Sequence, residues 1–367
     1  MAAIEVETLE QLLRLLASGT PLRGARLQDL DLTGLDPALL EHADVDKMVV
    51  LGCELPQQLD EQLRVRGALV FPREDRVPFD PWRAGLYTAR ELYADPTGEG
   101  YSGSRDARTY RWSLDPRTRS DVYATLLQAI HDDSIADALA ELVDGRRVVG
   151  VMGGHALDRG TAGYADAAHL GHTLAADGAI VATGGGPGAM EAANLGALFE
   201  DATALAAALD ELAGVPSFRP SVDAWATIAF GIRDRLAQAQ RPDAPSLGVP
   251  TWFYGHEPPN VFAAHIAKYF SNALREDALL AICTAGIVVL PGAAGTVQEI
   301  FQAATRLFYA TESDGPLPPL VLVDERHWQQ AIPAWEPLRS LAEGRPMQSA
   351  IHLVGTVDEA AAIIAAG

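Results

Sequence analysis

Three glycine-bearing segments hold the residue types that grip a phosphoryl group: residues 150–155 (GVMGGH), 183–194 (TGGGPGAMEAAN) and 290–299 (LPGAAGTVQE). Each continues from an apolar run, and the second and third lead straight into helical spacing. Glycine permits positive φ and lets a ligand approach the backbone closely. A helix that starts behind such a turn offers unbonded N–H donors and about half a positive charge. The candidate phosphate contacts are therefore the amides of Gly153, Gly154, Gly184, Gly185, Gly186, Gly188, Gly292, Ala293, Ala294 and Gly295, with the Thr296 hydroxyl as a further donor. Glu191 lies in the first turn of the second helix, as a helix cap or a sugar contact. Asn194 is a ligand contact or a packing residue. Trp252 and Tyr254 are aromatic enough to stack on a base, with core packing as the plainer role. GGGPG does not match the dinucleotide pattern GxGxxG, which disfavours NAD.

Composition narrows the chemistry further. With 28 basic and 49 acidic residues among 367, the net charge is −21, which repels nucleic acid and anionic lipid. Lys47 and Lys268 are the only lysines. The GxxxxGK phosphate loop is therefore absent, and neither lysine has a setting for a pyridoxal Schiff base. Cys53 and Cys283 both sit in apolar runs and read as buried, reduced thiols. His155 and His256 have no second His or carboxylate at metal spacing, so no metal or other cofactor is expected. The N-terminus is acidic where a signal peptide would be basic, so the expected location is cytoplasmic. The apolar run 278–295 is broken by Gly286, Pro291 and Gly292 and reads as a helix end, a buried strand and a turn rather than a membrane span.

Length allows two or three domains at roughly 100–200 residues each. The pattern changes near residue 145, giving an N-terminal α+β region over 1–144 and a second domain over 145–367. In the first, 7–18 and 121–142 read as helices and 47–53 and 67–71 as strands. Leu22, Leu27 and Leu32 recur every five residues, hinting at a pentapeptide-type coil. Residues 95–112 are polar and Gly-rich and read as a long loop. In the second, apolar strands over 148–152, 179–183, 246–253, 286–290, 320–323 and 351–354 alternate with helices over 161–176, 190–198, 202–212, 222–239, 295–309, 328–343 and 357–366. Residues 261–282 read as one long helix or two abutting ones. Uninterrupted apolar strands alternating with helices imply an α/β, Rossmann-like doubly wound parallel sheet covered on both faces. Such sheets bind ligands at the carboxyl ends of their strands.

GGGPGAMEAAN together with PGAAGTVQE resembles the LONELY GUY family of phosphoribohydrolases, whose pattern is a GGG-type turn, a helical Arg and PGGxGTxxE. GGH at 153–155 and GHEPPN at 255–260 look more like its bacterial nucleotide 5′-monophosphate nucleosidase branch. The likeness covers about residues 145–325. It implies hydrolysis of a nucleoside monophosphate to free base and ribose 5-phosphate, with AMP-like purine nucleotides first. It places Arg275, in SNALREDALL, and Glu299 as the catalytic pair. A carboxylate suits an oxocarbenium-like ribosyl centre or its attacking water, and the Arg fork suits the phosphate or the departing base. One residue departs from the pattern: Ala293 stands where the family has Gly. Alanine keeps its N–H, so phosphate binding survives at negative φ, whereas positive φ would cost about 1 kcal/mol.

The resemblance also implies a homo-oligomer, a dimer or tetramer, and the apolar stretch 261–282 supports it. Residues 1–144 are then a regulatory or oligomerisation region. The competing readings are a non-hydrolytic nucleotide or molybdenum-cofactor carrier of the same fold, a hydrolase of cytokinin ribotides, and a DNA-processing relative that the acidity disfavours.

Overall fold

The computed structural model describes residues 4–95, 97–236, 245–254, 258–311 and 315–367. Contacts divide the chain into one unit of Met1–Leu86 with Arg111–Ala138 and a second of Tyr87–Tyr110 with Leu139–Gly367.

In the first unit, β1 (Glu5–Val6), β2 (Arg26–Gln28), β3 (Val49–Leu51) and β4 (Leu69–Phe71) form a parallel sheet in chain order. Helices α1 (Leu9–Ala17) and α2 (Gln57–Val65) lie between strands. Thr8 and Gln11 close a capping box at the start of α1. Strand starts at residues 5, 26, 49 and 69 make each coil 20 to 23 residues long. Leu22, Leu27 and Leu32 are all buried in the one core. Their recurrence therefore marks the inward face of a longer strand-and-crossover coil, not a pentapeptide repeat. Each coil buries its apolar side only against its neighbours, as stacked repeats do.

The second unit begins with α3 (Ala89–Tyr93) and α4 (Arg105–Leu114), and the unit boundaries fall inside α4 and α6 (Val122–Val143), with the short α5 (Pro116–Ser120) between them. From Arg105 onward the loop expected over 95–112 is thus a helix. Its buried face contains Asp106, 3% exposed and paired with Lys268 at 2.6 Å, where an amphipathic helix would show an apolar residue. That pairing hides the periodicity.

A seven-stranded, all-parallel sheet follows: β5 (Val148–Met152), β6 (Ile180–Thr183), β7 (Ser246–Gly248), β8 (His265–Ile266), β9 (Gly286–Val289), β10 (Leu320–Val323) and β11 (Ile351–Val354), in the spatial order β11-β10-β9-β5-β6-β7-β8. The order reverses between β5 and β9. Helices α7 (Ala162–Ala176) and α8 (Ala189–Leu198) pack together, with α14 (Val357–Ala366) against α7. Helices α11 (Asn272–Ile282), α12 (Ala294–Tyr309) and α13 (Trp335–Ala342) form a second packed series. Helices α9 (Ala202–Leu212) and α10 (Val222–Leu236) complete the β6–β7 crossover. This is the Rossmann-like doubly wound arrangement.

Two details set the position of the turns. Gly171 on α7 and Gly196 on α8 leave no room for a Cβ, because each faces a backbone carbonyl of the opposite helix. This close crossing fixes where α8 begins. The helix expected across 261–282 exists only from Asn272. Before it, Ala264 and Ala267 donate to Ser246 and Gly248 of β7, and the Ser271 hydroxyl then caps α11. Residues buried on both sides carry no periodicity that separates strand from helix. Cys53 and Cys283 are both buried and unpaired. Among the described residues, no helix is long and apolar enough to cross a membrane.

Candidate functional site

The order reverses between β5 and β9, and sheets of this kind take ligands beyond the carboxyl ends of the strands at such a reversal. The three glycine segments meet there. Gly154 donates its N–H to the Pro291 carbonyl at 3.0 Å, and its own carbonyl accepts from Ala189 N–H at 3.0 Å. A single residue beyond β5 therefore ties the start of α8, just after the 184–188 turn, to the 291–295 turn. Gly153 (φ +86) abuts the Leu290 carbonyl and Thr296 Cγ2, and Gly154 (φ +66) abuts Ala189.

The turn after β6 is buried throughout 184–188. Several of its groups are already bonded. Gly185 N–H goes to Thr183 Oγ1 at 3.0 Å. Gly188, at φ +70, caps α8 with its Cα against the Gly154 carbonyl. Gly184 carries its carbonyl 3.4 Å from Arg275 Nη2, and Gly186 lies under Met190 and near His155. Pro187 has no N–H. Gly184, Gly186 and Gly188 carry the turn's other N–H groups.

The turn after β9 differs. Ala293, Ala294 and Gly295 are exposed. Ala293 precedes α12 with φ −117, and no side chain caps that helix. The first N–H groups of an uncapped helix have no intrahelical partner, and they lie where the helix dipole is positive. The negative φ removes the concern over alanine at 293. Thr296 is 8% exposed, with its hydroxyl close to Gly292. His327 Nε2 lies 2.9 Å from the Gly292 carbonyl, which can only accept, so the ring nitrogen donates and clamps the turn.

Arg275 is 9% exposed. Its Nε donates to the Val249 carbonyl at 2.8 Å, which hooks α11 over the ends of β6 and β7. Glu299 keeps partial exposure. Burial pushes its carboxyl up to about 7, the Arg275 guanidinium pulls it back, and Glu276 pushes it further up. Arg275 and Glu299 thus share one electrostatic neighbourhood beside both turns.

Other sequence candidates are committed elsewhere. Glu191 is fully buried, with Arg159 Nε at 2.9 Å, Arg159 Nη2 on its second oxygen and the Tyr164 hydroxyl at 2.8 Å. Both oxygens are engaged, so Glu191 anchors α8 instead of reaching a sugar. Arg159 also stacks 3.2 Å from the Trp225 ring centroid. Asn194 joins Thr183, Asn260 and the Leu247 carbonyl inside the core, at 2.7, 2.9 and 3.1 Å. Trp252 is core, whereas Phe253 and Tyr254 are 66% and 45% exposed. Residues 255–257, with His256, lie outside the described residues. The sequence offered no signal for Arg159 or His327, because each acts through a partner more than 30 positions away. Among the described residues, no three His, Cys, Asp or Glu side chains cluster to hold a metal ion.

Comparisons with known proteins reach only part of the chain. No curated protein matches it. One solved structure that the chain matches in part is the molybdenum cofactor binding protein from the phototrophic bacterium Rippkaea orientalis. It is 15% identical over 60% of this chain and 96% of its own, with a TM-score of 0.34. A model of the SLOG cluster4 family, in a superfamily that includes LOG-like proteins, matches residues 146–207, which hold the first two glycine turns but neither Arg275 nor Glu299.

Proposed function

We propose that the protein hydrolyses the N-glycosidic bond of nucleoside 5′-monophosphates, AMP-like purine nucleotides first, to free base and ribose 5-phosphate. The observation that carries this reading is the pair of hydrogen bonds by which Gly154 joins both glycine segments, donating to Pro291 and accepting from Ala189, with Arg275 and Glu299 alongside. The SLOG match over 146–207 agrees with a nucleotide ligand.

The 5′-phosphate sits on the uncapped start of α12, held by amides of 292–295 and the Thr296 hydroxyl. Gly186 and Gly188 supply donors from the opposite turn. Anchoring the phosphate fixes the sugar, so binding energy distant from the broken bond lowers the barrier. As the base departs, the ribosyl carbon gains positive charge. Burial lifts the Glu299 carboxyl up to about 7, which suits proton transfer to the base or from water. Arg275 directs Nη1, which lies 3.9 Å from Glu276, to the phosphate or the base. The same reading includes a cytoplasmic homo-oligomer, with residues 1–144 regulating or assembling it. A monomer by light scattering at micromolar concentration would refute the oligomer.

The test is a panel of nucleoside monophosphates with assays for ribose 5-phosphate and free base. Glu299→Gln and Arg275→Ala should each lower turnover by about 10²-fold or more with the fold intact. Full activity in either variant refutes the assigned roles. Tight binding of one monophosphate without turnover selects a non-hydrolytic carrier instead.

A further inference from the structure

The carboxylate of Glu276 has no part in the reading above. It follows Arg275 on α11, and its side chain is 12% exposed. Oε1 accepts from Asn272 Nδ2 at 2.8 Å and lies 3.9 Å from Arg275 Nη1. Oε2 accepts from Nε2 of Gln298, the residue before Glu299 on α12. Glu276 is therefore pinned between α11 and α12, next to Arg275 in the chain and bonded to the residue that precedes Glu299. A neutral side chain would link the two helices without placing a second carboxylate beside Glu299. Two carboxylates in one recess do not both ionise readily, and the one with more donors keeps the charge.

We propose that Glu276 is a positioning residue whose fixed negative charge keeps a proton on Glu299, so that Glu299 starts the cycle as the acid toward the leaving base. The inference rests on the hydrolytic reading. As the bond between C1′ and the base nitrogen breaks, its electron pair stays with the base, which takes the Glu299 proton. Water then bonds to C1′ through its oxygen and returns one proton to Glu299. The groups that bear on Glu299 are Arg275 and Glu276 on α11, with Cys283 at the end of that helix. Burial pushes the Cys283 thiol up to about 12, so it is neutral throughout the working range. Arg275 opposes the proton and Glu276 favours it.

The experiment is a carbon-13 NMR titration of the glutamate carboxyls in the full chain, with Glu299→Gln used to assign the signal, alongside the pH profile of kcat/KM. In Glu276→Gln, Glu299 should hold its proton about tenfold more weakly. The alkaline limb of the profile should move to lower pH, and kcat at pH 7.5 should fall about tenfold with KM within twofold. Glu276→Asp keeps the charge and should restore most of both, and it also serves if the Gln variant does not fold. An unmoved Glu299 titration in folded Glu276→Gln overturns the coupling, even where hydrolysis is observed. The expected titration with no cleavage of any monophosphate overturns the hydrolytic reading while the coupling stands.

Discussion

The two glycine turns look alike as strings and differ as objects. The 184–188 turn is buried: the Gly185 amide serves Thr183, the Gly184 carbonyl faces Arg275, and Ala189 just after it bonds Gly154. The 291–295 turn is exposed from Ala293 to Gly295 and opens onto a helix with no side-chain cap. Both lie at carboxyl ends of strands in one sheet. A glycine can therefore mark close approach of protein to protein, as Gly188 does against Gly154, or open backbone, as Gly295 does with no atom near its missing Cβ. The first turn is mainly a brace, and the second is the stronger anion trap.

The largest expected contrast follows directly. Gly188→Ala puts a methyl group into the Gly154 carbonyl at a φ of +70, so it should cost about 3 kcal/mol or more and show as a large drop in Tm. Gly295→Ala meets open space and should leave Tm unchanged or slightly raised. Equal effects in a thermal melt would erase the distinction between the turns.

The pH dependence of stability gives the next largest effect. Folding raises the Glu299 carboxyl from 4.5 to about 7, so between those values the folded chain binds more protons than the unfolded one. Its stabilising contribution is complete below about 4.5 and is lost as pH rises through about 7. Glu299→Gln should remove that slope and leave the chain more stable at pH 8 by about 1–3 kcal/mol, judged by urea midpoints at pH 5 and pH 8. Parallel midpoints in wild type and variant would mean that the carboxyl is not desolvated.

What the sequence disclosed follows from locality. The runs 148–152, 286–290 and 320–323 are apolar at every position because they are buried on both faces, and the turns after β5, β6 and β9 announce themselves through glycine. These features need only neighbours in the chain. Asp106 with Lys268, Arg159 with Glu191 and His327 with Gly292 are pairs across long sequence separations. Each substitutes a polar contact for an apolar one, so helix 105–114 and the buried role of Glu191 were illegible. Segment 261–271 was misread for the opposite reason, since complete burial leaves no period.

A charge placed at the exposed turn should affect ligand and fold in opposite directions. Gly295→Asp adds an anion to the first turn of α12, which favours the helix by about 0.3–1 kcal/mol. It also repels a phosphate at the same amides, so affinity for ribose 5-phosphate should fall about tenfold while Tm rises by up to about 3 °C. Undiminished affinity by calorimetry would shift the trap back to the buried turn.

The smallest effect concerns Ala293. Its φ of −117 is open to any residue, so Ala293→Gly relieves no strain and adds freedom to the unfolded chain. Stability should fall by about 0.4–1 kcal/mol, and kcat/KM should stay within twofold. The exposed turn would then be competent as it stands, with its amide intact and its methyl group in solvent. A tenfold gain in kcat/KM would instead show that the loop passes through positive φ when the phosphate arrives, a conformation that glycine permits and alanine resists by about 1 kcal/mol. The uncapped amides of the ligand-free chain would then be only the starting state of the trap.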